Sequence, residues 1–194
     1  MYLTMLQTIV EKVFTYPPIF KAASNAARKR IMERGREIGL DFSIDKQSQD
    51  WNAAVEECTR DTVTIPEYYK VPFHAYEEGN LSIDAALEVT NAAKSVHATI
   101  FSPPPGQDLD PDGDARLRRS YSECMKSLLD DDMVVLNILD IGAATGLSSM
   151  ELLQAFDPTG DNKVHVVGLD LSPYFVAVGQ YELQDIIGKG QLTL

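Results

Sequence analysis

The chain has 194 residues, 44% hydrophobic and 24% charged, enough to bury the core of one domain, or of a domain plus a piece of another. A formal charge of −12 and a pI near 4.6 exclude a general nucleic-acid binder, which needs a basic footprint. Two cysteines, Cys58 and Cys124, with no CxxC and no paired histidine, argue for reduced thiols rather than a metal site or a disulfide framework.

Leu3, Leu6, Ile9, Val10, Val13 and Phe14 recur at helical spacing and form one apolar stripe. Neither a charged leader nor a cleavage pattern accompanies it, so no signal peptide is read there. Pro17-Pro18 ends this helix, and a second is predicted from about Ile19 to Ile38, with Gly39 as its left-handed stop. Charge is uneven. Residues 1–40 carry a net of +4 and residues 41–194 a net of −16. The positive excess lies in ARKRIMERGR (27–36), read as a solvated face and as the place where any anionic partner would meet the protein. Residues 1–36 are therefore a candidate contact with a membrane surface or a partner's groove; the alternative is that the first helix packs on the chain's own helical segment.

A short helix over 45–61 takes Ser48 or Asp50 as its cap, and the lone Trp51 reads as a core anchor. Residues 64–80 mix aromatics with two prolines and read as an ordered loop. There His74, beside Tyr68, Tyr69 and Tyr76, could face a substrate. His97 in a helix and His165 in a strand read as packed residues, and no general base is named. The next helix runs from about Ser82 to Phe101 and ends before Pro103-Pro104-Pro105. Asp108, Asp110, Asp112 and Gly113 imitate a calcium loop. That loop needs a bidentate Glu where Arg119 stands, so a turn into a helix over 114–129 is the better reading.

Past 130–132 the character changes. VVLNILDIG (134–142) is a nearly continuous apolar run, the pattern of a parallel strand buried on both faces. Helical spacing follows, then a strand at 164–170. A helix opens on Ser172 with Pro173 at its first position and closes at Gly188, and QLTL starts another extended piece. The alternation predicts an α/β fold: a helical N-terminal region over 1–133, then the first half of a Rossmann-like doubly wound parallel sheet over 134–194.

Between the first of these strands and its helix lie Asp140, Gly142, Ala144 and Gly146. Glycines there let the backbone turn sharply and leave room for a ligand beside a helix N-terminus. A dinucleotide fingerprint would put Ala144 and Leu147 at its second and third glycines, and a P-loop needs Lys-Ser/Thr where Leu147-Ser148 stands. An acidic residue followed by Gly-x-Ala-x-Gly instead resembles the first motif of class I S-adenosylmethionine-dependent methyltransferases. The second strand ends in Asp170, an acceptor for two ribose hydroxyls. The interval between the acids is stretched by FDPTGDNK, which reads as a surface turn.

YYKVPFHAYEEGNLSIDAALEV, DGDARLRRSY and LDLSPYFVAVGQ extend the resemblance to the plant and algal plastid branch of the ubiquinone-biosynthesis-type methyltransferases, over roughly residues 10–194. It implies S-adenosylmethionine as cofactor, with Asp140, Gly142, Ala144 and Gly146 around its methionine part. Asp170 would take the ribose, and Leu171 would pack near the adenine. A small-molecule acceptor (a quinone, phenol or lipid) and a chloroplast location are implied too. The family's sheet continues beyond strand 1, so the chain is expected to carry its front half and to be inactive alone. An open strand edge should then need a protein partner to cover it. Two classes follow: a methyltransferase-like protein, or a non-catalytic structural subunit of a larger complex such as a plastid membrane photosynthetic assembly.

Overall fold

The computed structural model describes residues 16–43, 48–72, 76–100, 108–129, 137–161 and 163–194. The expected helix over Leu3–Phe14 and the loop histidine His74 lie outside them.

Helix α1, Pro17–Glu37, begins two residues before the predicted start, with Pro17 and Pro18 inside its first turn. Proline suits that turn, because its missing N–H has no helical partner there. Gly39, at φ +82°, takes the left-handed stop that the sequence assigned to it. Asp50 rather than Ser48 caps α2, Trp51–Cys58, accepting from the amides of Asn52 and Ala53. A short 3-10 turn, Glu67–Tyr69, precedes α3, Ile83–His97, which Ser82 caps. Helix α4 is Gly113–Ser127.

The sheet has three parallel strands in the order β1-β2-β3: Asn137–Ile141, His165–Leu169 and Leu192–Thr193. Ile138 faces Val166, which in turn faces Leu192. Helix α5, Leu147–Phe156, connects β1 to β2. Between β2 and β3 the predicted single helix over 172–188 is two: α6, Pro173–Glu182, and α7, Gln184–Ile187. Leu183 interrupts it, and Gly190, at φ +73°, rather than Gly188, adopts the left-handed conformation that returns the chain to β3.

Two apolar clusters form the core. One joins Trp51, Ala85 and Ala86 to Phe175 and Val178, so α2 and α3 pack on α6 across the expected boundary near residue 133. The other joins Leu153 of α5 to Val164, Val166 and Leu192 beneath the sheet. Trp51 is the anchor it was expected to be, with its ring edge-on to Tyr181 at 5.4 Å.

Strand β1 corrects one expectation. It is not buried on both faces: its residues alternate, with Leu139 57% and Ile141 79% exposed. The reason is topological. Crossovers between parallel strands share one hand, so two that step the same way across a sheet leave their helices on the same face. Helix α5 touches all three strands from that face. The opposite face, with Leu139, Ile141 and Leu169, is uncovered among the described residues. None of the described helices is long and apolar enough to cross a membrane.

Candidate functional site

The glycine loop follows β1 directly and closes on the end of β2. The amides of Gly142 and Ala143 both donate to the Leu169 carbonyl, at 2.8 and 3.0 Å. Gly142 and Gly146 sit at φ +82° and +84°, the left-handed region that glycine enters without steric cost. Ala144 is there too, at φ +49°, the one non-glycine with positive φ among the described residues. What holds it is Asp170, whose Oδ2 accepts the Ala144 amide at 2.9 Å. Thr145 bonds side chain to side chain with Thr90 of α3 at 3.0 Å, fixing the loop to the helical region as well.

Asp140, next to last in β1, accepts from Ser149 Oγ at 2.8 Å, so its carboxylate braces the first turn of α5. Asp170 is more heavily used. Its Oδ1 accepts from the Ser172 amide at 2.8 Å and from the Tyr69 hydroxyl at 3.2 Å. Burial, and then the charge of Asp170, push the Tyr69 phenol up to about 12, so it stays a neutral donor. Ser172 caps α6 and donates to the Asn80 carbonyl at 2.6 Å, fixing the end of β2 to the turn before α3.

A carboxylate oxygen accepts about two hydrogen bonds. Oδ1 of Asp170 is therefore full, and Oδ2 retains one position. One acceptor position is thus open, and Tyr69 holds another. Space exists beside the loop, since a Cβ added at Gly142 would meet nothing within 4 Å. Gly146 caps α5 without a side chain, which leaves the first amides of that helix to polar ligand atoms. Leu171 is 38% exposed and lines, with Asp170, Cys58 and Ile65, a hollow of 80 Å³. That is small for a ligand pocket. Burial raises the Cys58 thiol above its ordinary value.

The structure thus brings Asp140, Gly142, Ala144, Gly146, Asp170 and Leu171 to one end of the sheet. Sequence reasoning missed Tyr69, Thr90 and Ser149, whose roles come from contacts made far along the chain or by residues of ordinary helical type.

Two cavities lie in the helical region, the first of them reaching Asp140 at the base of this loop. A cavity of 500 Å³ lies between α3, α4 and α5 and is lined by His97, Arg118, Asp140 and Ser148. A smaller one of 260 Å³ lies between α1 and α3, its walls including Met32, Phe42, Val89 and Phe175. At the second, buried Glu88 accepts from Arg28, at 3.0 Å to Nε and again through Nη2, and from the Tyr76 hydroxyl. Arg28 is thus withdrawn from the basic face expected over 27–36, and its charge is matched within the fold. His165 Nε2 bonds Thr193 Oγ1 at 3.0 Å across the sheet, a structural contact. Asp110, in the calcium-like stretch, accepts from Arg116 at 2.7 Å and from the Asp112 amide at 3.0 Å, as a turn residue does.

No protein-family model matches the chain, and no match is found among curated proteins or solved structures.

Proposed function

We propose that the protein is an S-adenosylmethionine-binding, methyltransferase-like protein of the chloroplast, with a small molecule such as a quinone, phenol or lipid as its acceptor where it is active. The observation that carries the reading is the closure of the glycine loop on Asp170. The carboxylate at the end of β2 both holds Ala144 in its left-handed conformation and presents an acceptor beside the open space at Gly142. Asp140, Gly142, Ala144 and Gly146 would surround the methionine part, Asp170 the ribose and Leu171 the adenine. When bound, the cofactor supplies an electrophilic methyl group; the chain's own part is to position it and exclude water.

Calorimetric titration of the full chain with S-adenosylmethionine tests this. Asp170→Ala should cost about 2–4 kcal/mol in affinity, since charge-assisted hydrogen bonds are lost together with the loop's brace. Equal binding by the two proteins removes the ribose assignment, and no binding by the native chain removes the cofactor.

A second reading is favoured by the uncovered sheet face: a non-catalytic subunit whose Leu139, Ile141 and Leu169 pack against a protein partner in a larger membrane-associated assembly. The two readings separate on cofactor binding, which only the first requires.

A further inference from the structure

The cavity beside the glycine loop contains a histidine arranged as a proton acceptor. His97, the last residue of α3, lines it with a side chain 25% exposed. Its Nδ1 lies 2.6 Å from Asp114 Oδ1, and Asp114 is 4% exposed. The other Asp114 oxygen accepts from Arg118 Nε at 2.9 Å, and Arg118 Nη1 reaches Ser148 Oγ in the first turn of α5 at 2.5 Å. Burial alone would raise the Asp114 carboxyl. The hydrogen bonds from Arg118 and His97 outweigh it and hold the group below the usual carboxylate range. With Asp114 ionised, Nδ1 is the donor and carries the ring proton. Nε2, on the other side of the ring, has no hydrogen-bond partner among the described residues.

The backbone is shaped for this pairing. A Cβ at Gly113 would lie 2.4 Å from the His97 carbonyl oxygen, so only glycine lets α4 start close enough to place Asp114 under the ring.

We propose that this cavity binds a neutral hydroxyaromatic molecule, with His97 as the acceptor of its hydroxyl proton and Asp114 orienting the imidazole. The lining selects the ligand. Leu117, Tyr121, Met125 and Leu152 offer an apolar wall, and 500 Å³ suits a compact aromatic body. The charged groups lining the cavity are Arg118 of α4, Asp140 of β1 and Glu151 of α5, with Asp114 bonded to His97 and with Arg28 and Glu88 paired behind it. Arg118 is already matched by Asp114, so the remaining carboxylates disfavour a ligand that arrives as an anion. A weakly acidic O–H that ionises only on contact with Nε2 meets both conditions. On the methyl-transfer reading, on which this step alone rests, a bound sulfonium cofactor would supply the methyl group, and His97 Nε2 would take the hydroxyl proton and return it to water.

The probe is para-nitrophenol, whose ionised form absorbs visibly, titrated into the full chain slightly below neutral pH. Binding should shift the His97 imidazole nitrogen resonances and enrich the bound dye in its phenolate. His97→Gln should weaken binding about tenfold or more and leave the remaining bound dye neutral. Asp114→Asn should lower the phenolate fraction. Absence of dye binding, unmoved His97 resonances at saturation, or a phenolate fraction unchanged by His97→Gln overturns the proposal. If His97→Gln fails to fold, the resonances of the native chain decide alone. Parallel titration with S-adenosylhomocysteine separates the two ideas. Dye bound at His97 without homocysteine binding retains the phenol site and discards methyl transfer, and the converse does the reverse.

Discussion

The Tyr69 hydroxyl occupies one of the acceptor positions on Asp170 that a ribose diol would need. Removing it by Tyr69→Phe leaves the ring's packing and frees that position. Affinity for S-adenosylmethionine should rise by about 0.5–1.5 kcal/mol, up to roughly tenfold, by calorimetry. Weaker binding would mean that Tyr69 contacts the cofactor rather than standing in for it. The same residue leaves a signature in stability. Its folded value lies above its unfolded one, so its contribution is complete below about 10 and is lost as pH rises through about 12. Tyr69→Phe should flatten that alkaline decline in thermal melts. The acids and glycines of the loop were legible in the sequence, because Asp140 to Gly146 are consecutive and Asp170 closes the next strand. Tyr69 was not. It lies 101 residues from its partner, and nothing local distinguishes it from Tyr68, which is 73% exposed.

Helix starts were legible for the same reason that the loop was: the capping residue and the amides it serves are neighbours. Asp50, Ser82 and Ser172 each cap as their positions suggest. The junction of α3 with α4 was not legible, because its content is a close approach between backbones. Asp110 donates its amide to the Ala98 carbonyl at 3.0 Å, and Gly113 sits against His97. Gly113→Ala must push the two helices apart, since a carbonyl oxygen at 2.4 Å cannot yield as a side chain can. It should cost about 1–3 kcal/mol in denaturant melts. Titration gives a second measure of the junction. The Asp114 carboxyl is held below its unfolded value, so its stabilisation is complete above about pH 4 and is lost as pH falls through the folded value. Asp114→Asn should lower stability at neutral pH and remove part of the acid-induced loss. An unchanged acid limb would show that Asp114 is not ionised in the fold, and would weaken His97 as an acceptor with it.

At the scale of the whole molecule, the sheet is half of a sandwich. The apolar run at β1 was read correctly as strand sequence, but burial on both faces depends on elements that no local pattern specifies. Two crossovers advancing the same way supply helices to one face, and among the described residues the other face keeps its leucines and isoleucine exposed. Among the described residues β1 is also the sheet edge, so there an uncovered face and an unpaired row of backbone groups coincide. Burying one large apolar side chain contributes about 1.5–3 kcal/mol, which makes covering Leu139, Ile141 and Leu169 strongly favourable for a partner. The native chain should therefore self-associate at micromolar concentrations in sedimentation velocity. Leu139→Lys with Leu169→Glu should return it to a monomer. The variant's melting temperature should hardly change, because substitutions at exposed positions typically alter stability by about 0.5 kcal/mol or less. A native chain that stays monomeric, or a double variant that loses its cooperative melt, would mean that this face is already covered within the molecule and needs no partner.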